Sequence, residues 1–316
     1  MTVQFNPQKG SRGIQWCDET RNVTGGCEHA CQWEMPDGTI AECYAKTVAE
    51  WLAVKAYPDG FEQHYWRPHK LRELVRGDDP LLIFADSMSD LFGSWVPEEH
   101  TIAVLKAMAD APHHTYQLLT KAPGRLAKFV DYFPPNLWIG VSSPPDFFRG
   151  ARLNRDQQAR MLRRGVAALA EVREATGNIT FMSLEPVSWD IASEMPSPHM
   201  LDWAIIGAAT NGPRKYQPDP AHVEPLLDLF DRTGTPVFFK GNISKLVDEQ
   251  GWRWREDFPI WAHGQVIPAV LRRQEMAREH GWTLNFFLKE DVEQRARARQ
   301  TTYRRTSDGT MAPSLF

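Results

Sequence analysis

Beyond residue 43 the sequence contains no cysteine; Cys17, Cys27, Cys31 and Cys43 are the only four in 316 residues. Cysteines used as small core residues would scatter along the chain rather than crowd one end. A disulfide framework does not suit a large chain without a secretion signal. A long hydrophobic run is also missing. Nothing approaches the roughly 18 apolar residues of a membrane span, and the opening MTVQFNPQKGSRG has no apolar stretch of the signal-peptide type. A cytoplasmic protein with no membrane contact is therefore expected. Positive charge is not in excess either. The formal net charge is −4 and the pI about 6.2, which excludes a general polyanion binder while leaving room for a local basic patch. There is no repeat at the level of residue identity and no low-complexity linker.

What is present is enough apolar content, 42%, to bury one large core or a core with an appendage. Short apolar runs recur between polar, helix-like stretches. Gly13 to Trp16 reads as a first strand, followed by 81–85, 115–119, 137–141, 179–184, 203–207 and 236–239. After the first, the runs begin a βα unit apart, and they are short and continuously apolar, as strands buried on both faces should be. Helices are expected near 97–111, from Pro123, near 154–175 and near 267–280. Another should start directly after Cys43, where Tyr44, Val48, Trp51 and Leu52 share one helical face. The fold class is α/β: a partial or full parallel (β/α) barrel over residues 1–242, with a doubly wound sheet as the alternative. From 243 to 316 the pattern changes to a helical C-terminal extension. It ends in an Arg-rich tail (Arg295, Arg297, Arg299, Arg304, Arg305), read either as a solvated helix with a frayed end or as a nucleic-acid or partner contact.

In a parallel barrel the C-terminal strand ends converge on one face, where active sites sit. Here the strands run into Asp86 to Asp90, Thr120-Lys121, Ser142-Ser143, Ser183 with Glu185, Thr210 to Gly212 and Lys240 to Asn242. Any one such residue serves equally well as a helix or loop cap. Six sets beside a cysteine cluster point to a site.

The cysteine spacing leaves several readings open. Three thiolates can hold three irons of a cubane and leave the fourth open. Cys27 and Cys31 are separated by three residues within a loop, 22–44, that includes Gly25 and Gly26. Cys43 follows after eleven residues, reachable across a hairpin at Pro36-Asp37-Gly38. A structural zinc site would use Cys17 as well, but its usual close pairs are missing. A redox dithiol would need Cys-x-x-Cys, which does not occur.

The residues also match a family. Gln15 to Cys27 resembles an opening E-W-x-D-x-T-W-N-P-x-T-G-C, and Cys43-Tyr44-Ala45 resembles the end of G-C-x-x-C-Y-A. In order there follow Trp66-Arg67-Pro68-His69, Ser87 to Phe92, Leu118 to Lys121, Trp138 to Ser142, Ser183 to Pro186 and Phe238-Phe239-Lys240. Over about 14–242 the chain thus resembles an uncharacterised phage and bacterial family, radical-S-adenosylmethionine-like and related to spore photoproduct lyase. Two departures stand out. Eleven residues replace the common two before the third cysteine, so the aromatic expected beside it becomes Trp33 or Tyr44. The family's Gly-Gly-Glu is Gly207-Ala208-Ala209 here, without the carboxylate.

The resemblance implies a barrel of the radical-SAM type with a [4Fe–4S] cluster on Cys27, Cys31 and Cys43. S-adenosylmethionine (SAM) would chelate the open iron and be cleaved reductively to a 5′-deoxyadenosyl radical that takes hydrogen from a substrate. It further implies a one-electron donor such as flavodoxin or ferredoxin, and a nucleic acid or nucleotide as substrate. A peptide or small metabolite, or a non-catalytic zinc- or cluster-stabilised binding protein, are the other readings. By position, Ser87, Ser89, Ser142 and Glu185 would contact SAM. Asp90, Lys121 and Lys240 would contact substrate or the SAM carboxylate, and Tyr44 would line the cofactor. Cys17 would be either a buried thiol or a hydrogen donor to a product radical.

Overall fold

A computed structural model of the chain describes residues 14–34, 38–196, 201–211, 214–279, 303–305 and 311–313. Seven strands form its main sheet in chain order: β1 (Glu19–Arg21), β2 (Leu82–Ala85), β3 (Thr115–Thr120), β4 (Leu137–Ser142), β5 (Thr180–Leu184), β6 (Trp203–Ile206) and β7 (Val237–Phe239). Every neighbouring pair is parallel. The order never reverses, so the sheet has no switch point of the kind a doubly wound sheet requires. β1 and β7 stay unpaired with each other, and the result is a half-barrel.

Burial on both faces explains why the strand runs are continuously apolar. Ile83, Ile139, Val141, Met182, Ala204 and Phe239 pack outward in the larger core. Covering helices include α2 (Glu98–Ala109), α3 (Arg155–Thr176) and α4 (Pro220–Thr233). Leu82, Phe84, Trp138, Phe181, Trp203 and Phe238 fill the other face, with Trp138 and Trp203 at 5.4 Å and Trp203 and Phe258 at 5.3 Å between ring centroids. Gly140 makes that filling fit. A Cβ there would come within 2.6 Å of Phe181 Cζ and 2.7 Å of Leu119 Cδ2. α3 begins with a capping box between Asn154 and Gln157 and stops at Gly177 in a left-handed conformation.

Three expectations are corrected. The first strand is Glu19–Arg21, not Gly13–Trp16, because Trp16 and Cys17 are consumed in the aromatic core. Pairing with β2 starts at Asp18, whose N–H donates to Leu82 O at 2.7 Å and whose carboxylate accepts from Leu82 N at 2.8 Å. The segment from Pro123 forms two 3-10 turns, Pro123–Lys128 and Val130–Tyr132, rather than an α-helix. The helix after Cys43, α1 (Tyr44–Trp51), buries its small face, Ala45 and Ala49, against Tyr57 and Phe61. Trp51 and Leu52 are left 78% and 83% exposed, because the large apolar side chains would hold the helix too far from the cysteine loop.

Among the described residues, 243–279 pack into the barrel's cores. Ile243, Leu246 and Val247 at α5 (Ser244–Gln250) join the outer core. Residues 255–257 cover the β7 edge through Phe239 N to Arg255 O (2.8 Å) and Asp257 N to Val237 O (3.0 Å). Phe258, Ile260 and Ile267, with Ala269 and Val270 of α6 (Pro268–Glu279), close the inner face. Arg273, fully buried, donates to Gln15 O at 2.7 Å and lies 3.5 Å from Asp18. Arg295, Arg297 and Arg299 fall outside the described residues, while Tyr303–Arg305 pairs antiparallel with Met311–Pro313. No helix among the described residues is long and apolar enough to cross a membrane.

Candidate functional site

The eleven-residue gap between Cys31 and Cys43 is a β-hairpin. Gln32–Glu34 and Ile40–Glu42 pair antiparallel with Gln32 opposite Glu42, so the hairpin's two ends, which are the two cysteines, meet. Cys43 N donates to Cys31 O at 3.1 Å. The gap lengthens the chain without separating the thiols. Gln32 also pairs with Phe147 of the Phe147–Phe148/Ala151–Arg152 hairpin, making a four-stranded sheet over the mouth. Trp33 lies in its apolar underside with Cys31, Ala41 and Cys43, and Phe148 and Ala209 pack against them.

Cys27 is placed from the other side. Its N–H donates to Phe61 O (2.8 Å), and Gly26 N–H to Met88 O (2.9 Å). Gly26 has φ +86°, and a Cβ on it would fall 1.7 Å from Gln63 O, so only glycine brings the loop this close. Cys27, Cys31 and Cys43 then line one small open cleft, with Glu42, Lys46 and Glu62 at its edge. Burial pushes the Cys27 and Cys31 thiols up, the latter to about 12, and the neighbouring cysteine charges add to the shift in both. Ionising Cys27 and Cys31 in this cleft therefore calls for a nearby cation. Lys121 answers in part: burial works to lower its pKa, yet Cys31, Cys43, Cys27 and Asp90 together raise it.

Asp90 holds this arrangement together. Its Oδ2 accepts from His29 Nε2 (2.7 Å) and Lys121 N (2.8 Å), and its Oδ1 from Thr120 Oγ1 (2.8 Å) and Phe92 N (3.1 Å). His29, between Cys27 and Cys31, is stacked on Phe148 with Trp95 against its edge. Its Nδ1 is buried without a hydrogen-bond partner. Asp90 is therefore engaged by the protein and positions the loop, rather than reaching toward a cofactor. Sequence reasoning missed His29, whose one signal was its place inside Cys-x3-Cys.

Across the mouth, Glu185 and Lys240 form an ion pair, and Ser183 Oγ lies 3.4 Å from Glu185 Oε1. Tyr44 is half exposed but turns its hydroxyl inward to donate to Ser87 O at 2.7 Å. Burial, with Cys43 and Glu185 nearby, pushes that hydroxyl's pKa up. Ser87 Oγ donates to Asn22 Oδ1 at 3.1 Å, whereas Ser89 Oγ is buried without a partner. Ser142, at the end of β4, is half-buried. These strand-end residues share the mouth with the cysteines but do not line the cysteine cleft itself.

Cys17 stands apart. It is fully buried, donates to Ile14 O at 3.4 Å and packs in the aromatic core, not in the cleft. That overturns the four-cysteine zinc reading and suits a core thiol better than a hydrogen donor, which must touch its substrate. Among the described residues, no group of three or more His, Cys, Asp or Glu is arranged to hold a metal ion. A cubane takes one thiolate per iron, so its ligands surround a body several atoms wide rather than converge on a point. Three thiols around an open cleft beside a lysine fit such a cluster.

No curated protein matches the chain. Among solved structures, a cysteine-to-serine mutant of spore photoproduct lyase is 13% identical over 76% of this chain and 79% of its own, with TM-score 0.42. Spore photoproduct lyase with bound AdoMet and dinucleoside spore photoproduct is 10% identical over 70% and 75%, at 0.39. Dihydropteroate synthase from Xanthomonas albilineans with 4-aminobenzoic acid is 16% identical over 91% and 94%, at 0.27. A family model described as DUF5131, protein of unknown function, matches residues 11–249, from before β1 to the end of α5, and the chain belongs to that family.

Proposed function

We propose that this protein is a radical SAM enzyme in which Cys27, Cys31 and Cys43 hold a [4Fe–4S] cluster whose fourth iron takes SAM. The observation that carries the reading is the hairpin that returns Cys43 to Cys31, so that three thiols share a cleft at the mouth of a half-barrel. When bound, the cluster and SAM would supply one-electron reductive chemistry that generates a radical able to take hydrogen from a substrate.

The chain's own residues bind, orient and shield. Asp90 and His29 fix the loop. Lys121 sets a positive charge against the thiolates and would receive a carboxylate of substrate or SAM. The Glu185–Lys240 pair offers one acceptor and one donor to a zwitterion such as an amino acid moiety. Ser89 keeps a hydroxyl free for a ligand, and Ser87, Ser142 and Tyr44 complete the rim. The aromatic filling below the mouth excludes water from the barrel interior. The resemblance of the motifs supports a nucleic acid or nucleotide as substrate and a flavodoxin or ferredoxin as electron donor.

Anaerobic purification and reconstitution test the reading. About four iron and four sulfide per chain are expected, together with 5′-deoxyadenosine on incubation with SAM and dithionite. Cys27→Ala, Cys31→Ala and Cys43→Ala should each lose the cluster, while Cys17→Ala keeps it. One zinc per chain with no iron, or a fully loaded cluster that yields no 5′-deoxyadenosine, would leave a binding protein instead of an enzyme.

A further inference from the structure

The chain is acidic overall, yet residues 147–164 carry six arginines and a single acid, Asp156. Arg149, Arg152, Arg155, Arg160, Arg163 and Arg164 are all exposed. They begin at the cysteine loop itself. Arg149 N–H donates to His29 O at 2.7 Å, its guanidinium lies over Phe148, and Phe148 stacks on His29 at 4.8 Å. From there the strip crosses the small mouth sheet and runs along the first turns of α3, the helix that leaves the mouth after β4.

A solvated helix face does not account for this. Such faces alternate charge at i,i+4; Arg160 has Asp156 four residues before it, but Arg163 and Arg164 three and four residues on, like charges that repel it and outnumber the acid. Farther along α3 acids reappear, with Glu171 and Glu174 on either side of Arg173 in sequence. Two of the six are neutralised, Arg152 by Glu34 and Arg163 by Glu194. Arg149, Arg155, Arg160 and Arg164 have no carboxylate partner among the described residues. Arg149 and Arg155 are braced instead by Ser94 and Phe148, and by Gln158 and Trp189. Guanidinium groups held on aromatic rings with donors to spare suit phosphodiesters and the faces of unstacked bases.

We infer that this strip is the docking track for a nucleic acid strand, which runs along α3 and enters the mouth over Phe148 and Arg149. From its mouth end to Arg164 the helix extends about 14 Å at 1.5 Å per residue, a span that several phosphates fill and a mononucleotide does not; Arg160, Arg163 and Arg164 share its outer side, whereas Arg155 turns to the opposite side against Trp189. The inference rests on the radical reading only for what happens to the strand after it docks. It makes the substrate a polymer and assigns its side of approach.

The test is fluorescence anisotropy of labelled single-stranded DNA and RNA of increasing length, titrated with metal-free wild-type protein at several salt concentrations. Affinity should rise with length and fall steeply with salt. Arg160→Glu/Arg164→Glu should weaken binding at least about ten-fold and flatten the log–log salt slope by roughly 1.5. Arg160→Lys/Arg164→Lys should keep most of the slope, and circular dichroism should show both variants folded. Length-independent binding, no salt-dependent binding, or equal binding by the Glu variant overturns the inference. So does slower reduction by flavodoxin in the Glu variant with strand binding untouched, which would assign the strip to an acidic protein. Because binding is read on metal-free protein, intact binding without SAM cleavage after reconstitution would defeat the enzymatic reading alone.

Discussion

Replacing Asp90 by asparagine separates the charge of this residue from its shape. The carboxylate accepts four hydrogen bonds from donors spread over the cysteine loop, the 90–92 turn and the end of β3. An amide oxygen can serve only one of the two donor pairs, and the amide nitrogen then faces the other as donor against donor. Two charge-assisted bonds, each worth about 1.5–3 kcal/mol, are lost. The expected destabilisation is about 3–5 kcal/mol, the range seen when a buried charged network is broken from one side. Urea unfolding of the metal-free protein at pH 7 measures it, and iron retention after reconstitution should fall in parallel.

The pH dependence gives an independent check. Burial works to raise the Asp90 pKa, but the His29 bond, with the Lys121 amide and Thr120 hydroxyl, holds it below the ordinary 3.8. A depressed carboxyl contributes stability that is complete above its unfolded value and lost as pH falls through its folded value. The gap between wild type and Asp90→Asn should therefore stay constant down to about pH 4 and narrow only below it. A destabilisation under about 1 kcal/mol at pH 7 would refute the argument that Asp90 organises the site.

Two further outcomes test the frame around it. Gly26→Ala should cost about 3 kcal/mol, from a left-handed backbone and weakened bonds at Gly26 N and Cys27 N, whereas Gly124→Ala, with open space around its Cβ, should be near neutral in the same denaturation assay. Burial raises the Glu256 pKa to about 7 despite its bond from Trp254 Nε1 and the nearby Arg273. The folded state thus retains a proton that the unfolded state gives up from about pH 4.5, so this group's contribution falls between about pH 4.5 and 7. Glu256→Gln keeps the tryptophan bond, should remove that slope, and should exceed wild type at pH 8 by on the order of 2 kcal/mol. Parallel stability–pH curves for the two proteins would contradict it.

Much of this protein follows from sequence alone, because it depends on local pattern. Runs buried on both faces must be continuously apolar, so six of the seven strands could be placed by reading along the chain, and the strand-end polar residues came with them. Confinement of the cysteines to the first 43 residues marked the site before any contact was known. The first strand escaped because Trp16 and Cys17 look like strand residues but fill the inner core. The face of α1 escaped for a similar reason, since closeness to the cysteine loop demanded alanines where pattern favoured large side chains.

What only the tertiary structure decided is a matter of residues distant in sequence meeting at one place. Spacing could not say whether eleven residues carry Cys43 away from Cys31 or back to it, and the register of Gln32 opposite Glu42 decides for return. Nor could it join His29 to Asp90, or set Cys17 apart from the other three cysteines. Periodicity records which side of an element is buried. The partner it is buried against is fixed by packing across the chain, and for Cys27, Cys31 and Cys43 that packing turns a stretched motif into a single cleft at the mouth of the half-barrel.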